Sequence, residues 1–244
     1  MSDDIKISDD EIRKAIRKSL NKDTHQKNAT SPAHGNNLNE AYVTQAKVFS
    51  LSTEFLSDKN KIAHQELFEG YVKSLNKISA ELDVAPREDA NSNDSTFRSL
   101  KIDEAYNLNG AFLHGLFFEN ISDVQSKITM DSLVYMRLER DFGTFDEWQK
   151  DFIACAMSAR NGWAVTVYNT FLKRYINVVV DLHNINIPFS SFPVVVLDMW
   201  EHSYYRDYLN DKKSYIFAMM KELDWDKIND RVKKVEKVSK VLGQ

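Results

Sequence analysis

Apolar positions in the first half of the chain follow a helical period. Between residues 41 and 82, and again over about residues 103–121, apolar side chains recur mostly three and four positions apart, as on one face of a helix. A polar connection containing one proline, residues 84–97, separates the two stretches. The pattern therefore predicts a two-helix hairpin.

The second half mixes helical and strand-like patterns. Residues 145–158 form an amphipathic helical stretch that ends before Asn161-Gly162, a typical helix stop. Two β-rich runs, residues 163–171 and 175–182, are joined by a short turn, and residues 192–197 predict a third strand. Helical patterns return over residues 204–208, 214–223 and 225–242. We therefore expect an α+β fold: an N-terminal helical-hairpin lobe, then a lobe with a three-stranded antiparallel sheet flanked by helices.

The first 45 residues differ from the rest. Ser8 and Glu11 form a capping box ahead of a short helical stripe: Ile12, Ala15, Ile16 and Leu20. Residues 21–37 are polar and include a proline and a glycine, so they have little to bury. We interpret residues 1–45 as a partly disordered arm, residues 46–125 as the hairpin lobe and residues 126–244 as the α+β lobe.

Composition narrows the class of protein. The chain has 244 residues, 43% of them hydrophobic and 28% charged, as in ordinary soluble globular proteins. Its net charge of −4 disfavours a nucleic-acid partner, and no apolar run reaches the roughly 20 residues that span a bilayer. A single cysteine, Cys155, excludes an internal disulfide. The first residues lack the pattern of a signal peptide. We therefore expect a cytoplasmic protein without a membrane or nucleic-acid partner.

Metal chemistry is indicated where the third strand ends. Asp198 closes the β-branched run and His202 follows four positions later. If a helix begins there, the two side chains lie on one helical face, because residues four apart are neighbours. A carboxylate oxygen and an imidazole nitrogen that converge form half of a transition-metal site.

Histidines elsewhere can supply the other half. Of the six in the chain, His64 and His114 lie in the two predicted N-terminal helices, and His183 ends the second strand. A lone histidine in such a position is more often structural than a ligand. Three imidazoles with one carboxylate suit iron, manganese or zinc better than calcium, but the ligand types alone do not distinguish a redox metal from a hydrolytic zinc.

Four segments resemble the iron/manganese superoxide dismutases. The segment Asp198-Met-Trp-Glu-His-Ser-Tyr-Tyr closely resembles the family signature Asp-x-Trp-Glu-His-Ala-Tyr-Tyr. Residues 107–118 are similar to the family's second metal-binding helix, and residues 141–145 and 161–164 resemble two further motifs in the family's order. The resemblance covers about residues 55–242. It implies that superoxide is converted to oxygen and hydrogen peroxide with one iron or manganese ion per subunit.

The resemblance also implies a ligand set. His114, Asp198 and His202 match three family ligands. For the fourth, an ungapped comparison that starts from Tyr71 places an alanine, Ala63, at the ligand position, and a one-residue deletion makes His64 the ligand instead. The alternative is a relative with three ligands or none.

Roles for the surrounding residues follow from the same resemblance. Tyr71 would stand at the mouth of the substrate channel, and His183 would hydrogen-bond the solvent ligand of the metal, because the alternative position on the second helix is Gly110. The aromatic residues that would keep the site dry are Trp163, Trp200 and Phe118. Three cations, Lys73, Arg160 and Arg206, are candidates for attracting the substrate.

A homodimer, or a dimer of dimers, is the implied assembly. Glu201 resembles the residue that reaches the ligand histidine of the partner subunit. Tyr205 resembles a tyrosine that normally bonds a histidine of the first helix, but Leu67 or Phe68 occupies that place. The interface is therefore expected to be altered.

Two alternatives to an active dismutase remain open. One is a catalytically inactive protein of the same fold that docks through its N-terminal arm in a larger assembly. The other is a metal-dependent hydrolase, which is less favoured because aromatic residues crowd the predicted site and leave little room for a substrate.

Overall fold

The helical hairpin forms the first part of the structure. The computed structural model describes residues 42–123 and 125–241, so the predicted arm lies outside the described residues except for its last four positions. Residues 42–57 are irregular and lead into α1 (Asp58–Val84), which packs against α2 (Thr96–Asn120). Each helix begins after a serine, Ser57 or Ser95, whose hydroxyl accepts a hydrogen bond from a first-turn backbone N–H.

Both helix starts differ from the prediction. Residues 42–57 are not helical. The Thr44 backbone instead pairs with α1, where its N–H donates to Asn76 Oδ1 and its carbonyl accepts from Asn76 Nδ2, both at 2.8 Å. The second helix begins at Thr96 rather than near Asp103, because Ser95 caps it within the polar connection. The division into an arm and two lobes stays a prediction.

The remaining elements build the second lobe. They are α3 (Leu133–Phe142), α4 (Phe145–Ser158), β1 (Gly162–Asn169), β2 (Arg174–Asp181), β3 (Ser191–Asp198), α5 (Glu201–Tyr208), α6 (Lys212–Lys221) and α7 (Trp225–Val241). The strands pair antiparallel in the order β2-β1-β3, with Trp163 opposite Val180 on one side and Asp198 on the other. The α+β prediction is confirmed.

One helix, α3, was not predicted. Its first turn is capped by Ser132, whose hydroxyl accepts from the Tyr135 N–H. It ends at Gly143, whose φ of 90° favours glycine. Among the described residues, no helix has the length and apolar character needed to cross a bilayer.

A partly buried arginine links the hairpin to the sheet. The Arg231 guanidinium, on α7, donates to Asn120 Oδ1, to the Val194 carbonyl and to the Glu119 carboxylate. Asn120, at the end of α2, donates in turn to the Val196 carbonyl of β3 at 2.9 Å. Charge-assisted hydrogen bonds of this kind are stronger than neutral ones, so they fix α2 against the strand that ends at the predicted site.

Candidate metal centre

Four side chains from four elements converge on one point. They are His64 of α1, His114 of α2, Asp198 at the end of β3 and His202 of α5. Each offers one nitrogen or oxygen atom, and these four atoms all lie within 4.8 Å of one another. Asp198 is the last strand residue and not part of a helix, so the strand end and the first turn of α5 together bring it to His202.

The three imidazoles face the same carboxylate oxygen. Asp198 Oδ2 lies 3.1 Å from His64 Nε2, 3.2 Å from His202 Nε2 and 3.5 Å from His114 Nε2. His114 Nε2 is also 3.3 Å from His202 Nε2. Three nitrogens and one oxygen directed at a common centre fit a mononuclear iron, manganese or zinc ion.

Backbone groups orient two of these side chains. His114 Nδ1 donates to the Gly110 carbonyl at 2.6 Å, which leaves the lone pair of Nε2 for a ligand bond. The other Asp198 oxygen, Oδ1, accepts from the Trp200 N–H at 2.8 Å. His64 Nδ1 has no partner among the described residues, so its polar contact is made through Nε2.

His64 is placed by contacts between α1 and α5. Asn60, one turn before it, donates through Nδ2 to the Ser203 carbonyl at 3.0 Å and to Asp207 Oδ2 at 2.9 Å. Asp207 also accepts from the Ser57 N–H at 3.0 Å. These bonds hold the start of α1 against α5 and bring His64 into the cluster.

Burial sets the protonation of the cluster. It lowers the pKa of His114 to about 3, and it lowers that of His64 although Asp198 opposes the shift. For Asp198, burial would raise the pKa, but His202 and His64 outweigh it and hold the carboxyl pKa well below its usual value. His64 and His114 are therefore neutral and Asp198 is ionised at neutral pH, the forms that bind metals.

Aromatic rings pack against the three histidine donors. The Phe118 ring lies 5.0 Å from that of His64, and the Trp163 ring lies 4.9 Å from that of His114. Trp200 stacks on His202 at 5.8 Å. Phe118 and Trp163 are fully buried, so this wall keeps water away and lowers the local dielectric constant.

His183 and Tyr71 form a hydrogen-bonded pair beside the cluster. The Trp163 indole N–H donates to His183 Nδ1 at 3.0 Å, and His183 Nε2 lies 2.8 Å from the Tyr71 hydroxyl. Because an indole can only donate, His183 carries its proton on Nε2 and donates it to Tyr71. Burial lowers the pKa of His183 to about 4, so the ring stays neutral and this arrangement holds at neutral pH.

Acid stability of the metal-free protein tests this protonation. His114 and His183 have folded pKa values of about 3 and about 4, against 6.5 for a free histidine, so only the unfolded state takes up their protons as pH falls below 6.5. The free energy of unfolding should fall between pH 6.5 and 4, by up to about 3 kcal/mol for each imidazole. Urea unfolding across this range measures it. The variant His183→Gln should show a shallower fall; identical slopes would contradict the assignment.

Gly110 is a site residue whose packing role was missed. A Cβ atom there would lie 2.8 Å from Tyr71 Cδ1, closer than real Cβ contacts. The glycine therefore makes room for the Tyr71 ring, and its carbonyl orients His114. A glycine inside a helical pattern is the sequence signal for such a close approach.

Gly110→Ala should therefore be destabilising. Alanine favours helix by about 1 kcal/mol, but the overlap with Tyr71 should cost about 1–3 kcal/mol and move the tyrosine hydroxyl from His183. Gly115→Ala in the same helix is the control, since its Cβ would meet only Phe49 at 3.9 Å. Thermal unfolding of both variants measures the difference. Equal stabilisation by the two substitutions would show that Tyr71 does not need the space.

One side of the cluster reaches the surface. A depression of about 430 Å³ is lined by Ala63, His64, Glu201, His202, Tyr205 and Arg206. Tyr205 is 53% exposed. Phe68, one of the two residues at the place of its expected histidine partner, is buried against Phe49 and Phe118. Three cations are candidates for attracting the substrate. Arg206 lines the depression, whereas Lys73 forms an ion pair with Glu69 at 3.5 Å and Arg160 does not line the depression.

The sequence is similar to those of known proteins. The family model for the C-terminal domain of iron/manganese superoxide dismutases matches residues 131–231. An iron superoxide dismutase of Aquifex pyrophilus is 34% identical over 178 residues, which cover 72% of this chain and 83% of that protein. Manganese superoxide dismutases of Halobacterium salinarum and Haloarcula marismortui are 35% and 36% identical over 69% and 70% of this chain, and 82% of each protein.

Proposed function

Because the chain belongs to the iron/manganese superoxide dismutase family, we propose that it converts superoxide to oxygen and hydrogen peroxide at the cluster of His64, His114, Asp198 and His202. The observation that carries this proposal is the convergence of three imidazole nitrogens on one buried carboxylate oxygen. These residues would hold one iron or manganese ion per chain. When bound, that ion supplies the electron exchange that oxidises one superoxide and reduces the next.

The protein prepares the site in three ways. The carboxylate and neutral imidazoles contribute a total charge of −1, so a di- or trivalent ion leaves the site positive and attractive to a small anion. The wall of Phe118, Trp163 and Trp200 excludes water. Arg206, at the depression, adds local positive charge to a chain whose net charge is −4.

In this proposal Tyr71 supplies a proton and His183 orients its hydroxyl. His183 donates to the Tyr71 hydroxyl, which leaves the tyrosine proton available to an acceptor in the site. Burial, followed by the neighbouring Tyr106, raises the pKa of Tyr71 well above its usual value, so the hydroxyl stays protonated at neutral pH. Formation of hydrogen peroxide from superoxide requires protons, and a protonated hydroxyl beside the site can supply one.

An active enzyme is favoured over an inactive relative of the same fold. The open question was whether His64, one residue out of register, replaces the missing ligand. Its Nε2 lies within 4.8 Å of the other three donor atoms, which supports a set of four donors. A hydrolase needs space for its substrate, whereas aromatic rings surround these donors.

Metal reconstitution tests the proposed activity. The full-length protein is stripped with a chelator and reloaded separately with iron, manganese or zinc. Superoxide removal should return with iron or manganese and stay absent with zinc, which has no accessible redox change. Activity with zinc, or none with any metal, would contradict the proposal.

For the assembly we propose a homodimer formed over the depression. His202 is 27% exposed there, beside the exposed side chains of Glu201 and Tyr205. A second copy on this face would bring its Glu201 to His202 and remove both from water. Sedimentation velocity should show a dimer for the wild type and monomers for Glu201→Ala, with Glu88→Ala as a surface control. A monomeric wild type would contradict this.

Cytoplasmic location stays a proposal. The single cysteine, Cys155, is partly buried, and burial raises the pKa of its thiol to about 11, which suits a thiol kept reduced. Cell fractionation of the native host tests the location, and recovery of the protein outside the cytoplasm would contradict it.

A further inference from the structure

Tyr106 is a second tyrosine beside the candidate metal centre, and the proposed activity gives it no role. It stands four residues before Gly110 and eight before His114, so the three share one face of α2. The Tyr71 ring lies across this face: its centroid is 5.1 Å from that of His114 and 6.2 Å from that of Tyr106. The gap at Gly110 allows this packing.

The Tyr106 ring also contacts His183. Their centroids are 4.6 Å apart in an edge-to-face arrangement, and the Tyr71 and His183 centroids are 4.8 Å apart. The rings of Tyr71, Tyr106 and His183 thus pack against one another. His183 is fully buried, whereas Tyr106 is partly exposed to solvent.

The hydroxyl proton of Tyr71 has no acceptor among the hydrogen bonds described so far. Trp163 donates to His183 and His183 donates to the Tyr71 hydroxyl, so the Tyr71 oxygen already accepts one bond. Its own proton needs an acceptor when no substrate is present. Tyr106 is the neighbouring phenol, because its ring centroid lies 6.2 Å from that of Tyr71 and 4.6 Å from that of His183.

We propose that Tyr106 is a positioning residue of the proposed dismutase, whose hydroxyl orients that of Tyr71 and returns protons to it from solvent. The proposal rests on the proposed function. The overall reaction takes two superoxide anions and two protons to one oxygen and one hydrogen peroxide. A proton that leaves the Tyr71 oxygen is replaced through the Tyr106 hydroxyl, which regains one from water, so neither tyrosine changes over a cycle.

Tyr106→Phe is the direct test, since it keeps the ring that contacts His183 and removes only the hydroxyl. In the metal-loaded enzyme, kcat should fall about tenfold or more, while kcat/KM, which reports encounter with superoxide, stays unchanged. A small protonated buffer such as imidazolium should restore kcat in the variant and leave the wild type unaffected. Tyr135→Phe, at a tyrosine away from the centre, is the matched control and should keep wild-type kinetics.

A double variant shows whether the effect passes through Tyr71. In a Tyr71→Phe background, Tyr106→Phe should cause no further loss, because coupled residues are not additive. A kcat loss that buffers do not restore, or that adds fully to that of Tyr71→Phe, would reduce Tyr106 to a packing role and overturn the proposal. Unchanged kcat would overturn it as well.

A readout without metal separates this proposal from the proposed function. Ultraviolet resonance Raman spectra report the hydrogen bonding of tyrosine hydroxyls, and the Tyr71 contribution is obtained by subtracting the spectrum of Tyr71→Phe. That contribution should change in Tyr106→Phe and stay the same in Tyr135→Phe. If the metal-loaded wild type has no dismutase activity, the proposed function fails. If the Raman signal of Tyr71 is unchanged in Tyr106→Phe, the two tyrosines do not interact and the present proposal fails.

Discussion

Alanine in place of His64 is expected to lower the metal content of the purified protein from about one ion per chain to about a tenth of that or less. The substitution removes one of the four donors and leaves the buried Asp198 carboxylate without its 3.1 Å partner. Elemental analysis after expression with iron and manganese measures the effect. Superoxide removal should fall in parallel, because the remaining three donors hold the ion too weakly.

Two further variants make this prediction specific. His183→Gln removes another imidazole of the same site that is not among the four donors, so it should retain its metal. The double variant Ala63→His with His64→Ala restores the number of histidines one residue earlier, about 100° around the helix. It should not regain metal. Normal loading of His64→Ala, or recovery by the double variant, would show that the register of the first ligand is wrong.

Loss of the His183 side chain is expected to have the second largest effect. In His183→Ala the buried Trp163 indole N–H loses its acceptor and the Tyr71 hydroxyl loses its donor. The unpaired indole should cost about 1–3 kcal/mol of stability, and activity should fall about 10- to 100-fold. Thermal unfolding of the metal-free protein and superoxide assays of metal-loaded protein measure the two effects.

Glutamine is the matched control at this position. Its amide oxygen can accept from Trp163 while its amide nitrogen donates to Tyr71, as the neutral imidazole does. His183→Gln should therefore keep activity within a few-fold of the wild type. Equal losses in both variants would mean that the imidazole acts by another route than these two hydrogen bonds.

The sequence predicts the elements that carry long regular patterns. The strand that ends at Asp198, and the four-residue spacing to His202, predict the convergence that the structure shows. The hairpin and the order of later helices are confirmed for the same reason: a sustained apolar period needs no tertiary information.

Tertiary contacts decide what the sequence analysis misses. The helix predicted from residue 41 begins at Asp58, because Thr44 finds hydrogen-bond partners on α1 instead of along its own segment. Two apolar positions of α2, Leu108 and Phe112, are about half exposed, while Leu113 and Phe117 are buried. Periodicity identifies an apolar face, but packing selects which residues of it are covered.

The same limit applies to the site. Whether His64 belongs to it depends on how Asn60 holds α1 against α5. The two hydrogen-bond partners of Asn60 lie 143 and 147 positions further along the chain. The space at Gly110 and the neighbourhood of Tyr106 depend on where the Tyr71 ring lies. Spacing within one helix cannot give distances between two helices.

The central claim is that the four converging side chains hold a redox metal that removes superoxide. The most direct measurement is the iron and manganese content of the full-length protein across a size-exclusion peak, with superoxide removal assayed in the same fractions. The account predicts about one ion of iron or manganese per chain and an activity profile that follows the metal. Metal-free fractions after expression with both metals supplied, or activity that does not follow the metal, would contradict it.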